Sequence, residues 1–158
     1  MPVIRTHKSE FAETTSTLIA ADHHDHLLAR LSFKREWHRV KPGLYRLGKP
    51  GPEAPVFVTS NYTLSFDALR SNLTSMDAFI LVLDTFGVNV WCAAGKRTFD
   101  TKELVHRIQD TKLGEVVSHR ILILPQLGAP GVAAHEVKKP PDSALNTVPS
   151  GRKIFPHT

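Results

Sequence analysis

The sequence holds a single cysteine, Cys92, in 158 residues. That excludes an intramolecular disulfide framework and any zinc or iron–sulfur site built from several cysteines. Long apolar runs are missing as well. The strongest, Ala78-Phe79-Ile80-Leu81-Val82-Leu83, falls far short of the ~20 residues that a membrane-spanning helix needs. The first residues, Met1 to Lys8, lack the apolar core of a secretory signal. No Gly-x-Gly-x-x-Gly run is present, which counts against a dinucleotide site. No dense basic stretch is interleaved with aromatics, and neither a zinc-finger nor an RNA-recognition signature occurs. The net charge of +5 therefore reads as a solvated, mildly basic surface, with no nucleic acid among the partners. These absences together describe a soluble, reduced, cytoplasmic chain.

What is present is ordinary globular composition, 41% hydrophobic and 22% charged, in one domain's worth of residues. The texture divides it into three parts. Residues 1–54 form an N-terminal extension with a histidine-rich segment and Pro/Gly linker chemistry at residues 41–43 and 49–55. Residues 55–139 alternate apolar runs with helical patterns. Residues 140–158, rich in Pro, Ser and Asn, read as a loose tail.

Within the middle part, Pro55–Thr59 reads as a strand and residues 64–73 as a helix. Residues 79–83 read as a strand buried on both faces. Asp100-Thr101-Lys102-Glu103 reads as a capping box opening a helix that ends near Gly114. Arg120–Pro125 reads as a third buried strand, and residues 132–138 as a further helix. A short helix is expected at residues 27–31. Strands alternating with helices predict an α/β fold, a Rossmann-like parallel sheet flanked by helices. Ligands of such sheets sit outside the carboxyl ends of the strands. That position singles out Thr59 and Asn61, Asp84, and the loop Gln126, Gly128, Ala129, Pro130 and Gly131, although the last four also suit a plain turn.

Directly after the second of these strands comes Asn89-Val90-Trp91-Cys92-Ala93-Ala94-Gly95-Lys96. This segment resembles the cap-helix motif of the HgcA family, the corrinoid proteins of microbial mercury methylation. The resemblance runs in order through residues 42–45, 55–59, 77–98, 115–120 and 125–137. It implies a Rossmann-like domain binding cobalamin in base-off form, with the Cys92 thiolate as lower axial ligand to cobalt. It implies corrinoid-dependent methyl transfer to Hg(II), a tetrahydrofolate-linked methyl donor, and a ferredoxin-like iron–sulfur protein that keeps cobalt reduced. It also implies a parent protein anchored in the inner membrane, with this domain in the cytoplasm and a further strand after residue 139. The related domain of the corrinoid iron–sulfur protein lacks the cysteine in this comparison.

The residues make physical sense of that role. Thiolate, not thiol, is the metal ligand, and with Cys92 opening a short helix that runs toward Lys96 the helix start favours negative charge there. Small Ala93, Ala94 and Gly95 would let a flat macrocycle approach the backbone. Val90 and Trp91 would anchor the helix in the apolar layer below, and Asn89 could donate a hydrogen bond to sulfur. Lys96 suits a solvated helix end or a contact to the corrin side chains. Two other readings stand beside mercury methylation: a corrinoid methyl carrier of one-carbon metabolism, and a non-catalytic α/β cofactor-binding module. The His23-His24-Asp25-His26 cluster has residue types that bind zinc, nickel or copper, but neighbouring histidines rarely converge on one ion. His119 and His135 are read as structural.

Overall fold

The computed structural model describes residues 11–30, 38–132 and 146–147. At its centre is β4 (Ala78–Leu83), whose six residues are all buried. Both faces of this strand are covered, which is why it carries no polar residue. It pairs parallel with β3 (Val56–Ser60) on one edge and antiparallel with β2 (Gly43–Leu47) on the other. β1 (Ala12–Thr14) lies parallel to β2. Beyond β3, the Val58 N–H donates to the Ile123 carbonyl (2.9 Å) and the Ile123 N–H to the Val56 carbonyl (2.8 Å). This sets β5 (Ile121–Leu122) parallel to β3, and β6 (Asn146–Thr147) continues the array as a parallel partner of β5.

The α/β expectation holds, with one change: the sheet is mixed, because β2 runs against β4. β2 comes from residues read as extension and linker, so the 54/55 boundary does not coincide with a break in the sheet. The antiparallel strand has the open edge of β4 to itself, and five register pairs hold it there. Asn146 and Thr147, expected in a loose tail, add to the outer edge of β5, whose backbone groups would otherwise lack partners. The third strand is shorter than expected, and only Leu122 of its two residues is buried.

Alternation along β3 and β4 sends side chains to two separate cores. Val56, Val58, Phe79, Leu81 and Leu83 meet Leu104 and Ile108 of α4 (Thr101–Asp110) and Leu113 of α5 (Leu113–Val116). Phe57, Ile80 and Val82 meet Phe66, Leu69 and Leu73, which belong to α2 (Thr63–Asn72) and its C-cap. Asp100 caps α4, accepting from the Glu103 N–H at 2.9 Å. The capping box is only half formed, because the Glu103 carboxylate turns to the Asp84 N–H (2.8 Å) and to Arg107. Lys112 stands in the left-handed region (φ 51°), so the helix expected to reach Gly114 stops at Asp110 and α5 follows as a separate turn.

The histidine-rich segment lies on α1 (Ala20–Arg30), which starts well before the expected residue 27. The helix expected over residues 132–138 lies outside the described residues apart from Val132, which is not helical. Among the described residues no helix is long and apolar enough to cross a membrane.

Candidate functional site

The parallel strands β3 and β4 send their following helices to opposite faces of the sheet, which opens a crevice at their adjoining carboxyl ends. Asn61 ties this crevice shut at its base. Its Oδ1 accepts from the Thr85 N–H (3.0 Å), the Thr85 hydroxyl (2.9 Å) and the Gly87 N–H (2.9 Å). Its Nδ2 donates to Asp84 Oδ1 at 3.1 Å, and the same oxygen accepts from the Phe86 N–H. Asn61 and Asp84, expected among the cofactor contacts, thus direct these bonds to the chain itself. Thr59 is buried in the sheet on the α2 side. Ser60 is buried on the opposite side, and its hydroxyl finds no hydrogen-bond partner among the described residues.

The loop so fixed holds Phe86 in the left-handed region (φ 56°), a conformation that costs a non-glycine residue about 1 kcal/mol or more. Its ring is 62% exposed. Arg39 crosses the adjacent Gly87, whose φ of +70° suits glycine; a Cβ there would lie 2.7 Å from Arg39 Cγ.

From this loop the chain enters α3 (Val90–Gly95), which carries the cysteine. Asn89 is its N-cap: Oδ1 accepts from the Cys92 N–H at 2.8 Å. The side-chain oxygen therefore fixes the first turn, in place of the expected donation to sulfur. The far end closes with Arg97 in the left-handed region (φ 59°) and the Thr98 N–H donating to the Ala93 carbonyl at 2.9 Å.

The helical period divides α3 into two faces. Val90, Ala93 and Ala94 pack inward on the core, with Ala93 fully buried. Trp91, Gly95 and Lys96 are exposed, and Cys92 lies on the same side, half-buried. Two expectations are corrected by this. Trp91 is 69% exposed and anchors nothing beneath it. Of the three small residues, only Gly95 is open to an approaching ligand, with nothing within 4 Å of a Cβ placed on it.

The third wall is the loop after β5. Gln126 is exposed, and Leu127 is 61% exposed. Gly128 is buried, and Ala129–Gly131 form a single 3-10 turn packed against α3. Thr85, Phe86 and Leu127 fall within the strand ends that the sequence points to, but that Phe86 and Leu127 are exposed, and that Arg39 crosses Gly87, is visible only in the folded chain. The site surface is open. A concavity of about 980 Å³ lies elsewhere, lined by Phe11, Leu44, Tyr45 and Lys112 among others.

The histidine cluster is dispersed. Asp25 pairs with His38 (2.7 Å), His26 with Asp67 (2.6 Å) and Asp22 with Arg70 (3.0 Å). Among the described residues no group of three or more His, Cys, Asp or Glu side chains is arranged to hold a metal ion. His119 Nε2 lies 2.7 Å from the Ala54 carbonyl oxygen and Nδ1 3.2 Å from the Ile121 nitrogen, a structural bridge. His135 lies outside the described residues.

Fold and site define a class: an α/β domain with a short cysteine-bearing helix at the carboxyl edge of its parallel strands. Residues 19–140 match the family of the CO dehydrogenase/acetyl-CoA synthase delta subunit, and the chain belongs to that family. It is 38% identical over 93 residues to the acetyl-CoA decarbonylase/synthase complex subunit gamma of Archaeoglobus fulgidus, covering 58% of this chain and 20% of that protein. The same subunit of Methanopyrus kandleri is 37% identical over 93 residues, with the same coverage. The corrinoid/iron-sulfur protein large subunit of Moorella thermoacetica is 26% identical over 116 residues, 67% of this chain and 26% of that protein. The chain spans about a fifth to a quarter of the length of these relatives. None of these three relatives carries a mercury-methylation name, although residues 89–96 resemble that group's motif.

Proposed function

We propose that this chain is a corrinoid-binding domain that carries a methyl group in one-carbon metabolism. The observation that carries the reading is the placing of half-buried Cys92 on an exposed short helix, among the exposed side chains of Phe86, Trp91 and Leu127, at the carboxyl edge of the sheet. An open apolar surface with one soft ligand suits a broad, flat macrocycle better than a small polar substrate. Relatives named as acetyl-CoA decarbonylase/synthase subunits and as a corrinoid/iron-sulfur protein point the same way.

In this reading the Cys92 thiolate would be the protein's ligand to cobalt. Trp91 and Gly95 would meet the macrocycle, and Lys96 its polar side chains. When bound, the corrinoid supplies a cobalt centre that accepts and releases a methyl group. The chain's own part is to hold the sulfur. Asn89 fixes the turn that bears it, and buried Ala93 fixes the helix on the core. These 158 residues hold one cysteine and so no multi-cysteine cluster to supply electrons; an iron–sulfur protein is the fitting reductant. A tetrahydrofolate-linked compound is the fitting methyl donor.

A second reading, methyl transfer to Hg(II) by a domain of a membrane-anchored parent, is favoured by one feature. Cys92 stands within the segment that resembles the mercury-methylation motif.

The test is reconstitution with cobalamin followed by absorption spectroscopy. The expected result is a base-off, thiolate-ligated spectrum that is lost in Cys92→Ala. An unchanged spectrum in the variant overturns the ligand role, and no binding by the wild-type chain overturns the corrinoid reading. Methylmercury formed on adding Hg(II) to the methylated, reconstituted protein would favour the second reading over the first.

A further inference from the structure

We infer that Gly128 and Gly131 are positioning residues for Cys92: they let the loop after β5 close on the inner side of α3 and so set where the thiol stands. What that thiol ligates rests on the corrinoid reading above; the placing itself rests on contacts.

A six-residue helix has no stability of its own in water, so its position is dictated by what it is packed between. On its inner face Ala93 is buried in the core. Beside Ala93, against Val90 and Ala94, lies the turn at residues 128–131. Both glycines are as close to their neighbours as backbone can come. A Cβ on Gly131 would fall on the Phe99 carbonyl oxygen and lie 3.6 Å from Ala94 Cα. A Cβ on Gly128 would lie 2.7 Å from the Phe99 ring and 2.8 Å from Val90 Cγ1. Val90 and Ala94 belong to α3, and Phe99 is the fully buried residue onto which α3 closes, its N–H donating to the Ala93 carbonyl at 3.1 Å.

Neither glycine has a positive φ, and Gly128 has an ordinary helical backbone (φ −94°, ψ −20°). Conformational freedom is therefore not what these positions require. Closeness is. The turn does not yield easily either, because the Gly128 and Ala129 N–H groups both donate to the Pro125 carbonyl and the Gly131 N–H donates to the Gly128 carbonyl. An added methyl group pushes α3 outward, and Cys92 moves with it.

Because Cys92 is the only cysteine, its reaction with a chromogenic disulfide reagent such as DTNB reports this one position. Gly128→Ala and Gly131→Ala, each folded by thermal melting, are expected to change the rate by roughly fivefold or more, as expected for overpacking strain released by local movement. Gly51→Ala, whose Cβ meets nothing within 4 Å, is expected to leave it unchanged. In the reconstituted protein the same two variants weaken the thiolate-ligated cobalt spectrum. Wild-type rates in both folded variants overturn the inference. Where Gly131→Ala fails to fold, Gly128→Ala decides, since its obstacles are side chains and not backbone. If the wild-type chain shows no cobalt–thiolate spectrum, the corrinoid reading fails, while the thiol rates still decide the positioning.

Discussion

Asn61 shows how one amide organises a loop through the chain's own groups. Its oxygen serves two backbone N–H groups and a hydroxyl from the β4–α3 loop, and its nitrogen serves Asp84. Each buried donor left without a partner costs about 1–3 kcal/mol. Asn61→Ala removes the acceptor from the Thr85 and Gly87 N–H groups together; the Thr85 hydroxyl keeps the Val88 carbonyl at 2.7 Å. We expect a stability loss of about 2–4 kcal/mol on urea denaturation. If this loop meets the corrinoid, cobalamin binding falls as well, because those bonds hold the residues on either side of left-handed Phe86. A variant of wild-type stability would show that the loop is held by something else.

At the scale of elements, α3 separates stability from function. Trp91 is mostly exposed, so Trp91→Ala should change the unfolding free energy by no more than about 0.5 kcal/mol. If its ring meets the corrinoid, the same change weakens cobalamin binding by about tenfold, equivalent to about 1.4 kcal/mol. Equilibrium titration against the melting curve tests both halves. The sequence reading of this helix was right about its place, since the strand before it is a local signal, but it opened the helix at Cys92, whereas α3 begins at Val90 with Asn89 as its cap. It was wrong about which side Trp91 takes, because helical period assigns faces but not which one is covered. The same division runs through the fold. β4 was legible as an unbroken apolar run. β2 was not, because Gly43 and Pro42 read as turn residues and its pairing depends on the open edge of a strand over thirty residues away. Asp100 was legible as a cap, but Glu103 was not, since the Asp84 N–H that it serves is reached only through tertiary packing. Gly128 and Gly131 were visible as glycines, yet their contacts with Phe99 belong to the folded chain alone.

At the scale of the molecule, α1 is joined to the sheet layer mainly by charge. Ile19 just before it and Leu27 within it are exposed, while Arg70 of α2 gathers its surroundings. Its Nε donates to Asp67 (2.5 Å), Nη2 to Asp22 (3.0 Å), and Nη1 to the Thr15 and Thr17 carbonyls (2.9 and 3.1 Å). Asp67 also holds His26 of α1, and Asp25 holds His38, whose carbonyl accepts from the Thr63 N–H beside the site. Arg70→Met removes the guanidinium, which lies 5.9 Å from the Phe66 ring centre, and leaves the buried Asp67 carboxylate without its main counter-charge. Breaking one side of a buried pair costs about 3–5 kcal/mol. The loss should be local first, with amides of residues 20–30 exchanging faster by hydrogen exchange while those of β4 stay protected. Acid should act on the same joint. The Ile19 N–H, together with Arg70, lowers the Asp22 carboxyl below its ordinary value of 3.8, against a smaller opposing effect of burial. A group whose folded value is depressed stabilises fully above its unfolded value and loses that contribution as pH falls through the folded one. The α1 amides of the wild type should therefore lose protection as pH drops below about 3.8, and Asp22→Asn should flatten that dependence while starting from a lower level. Equal acid profiles in the two proteins would place the joint's strength elsewhere than in Asp22.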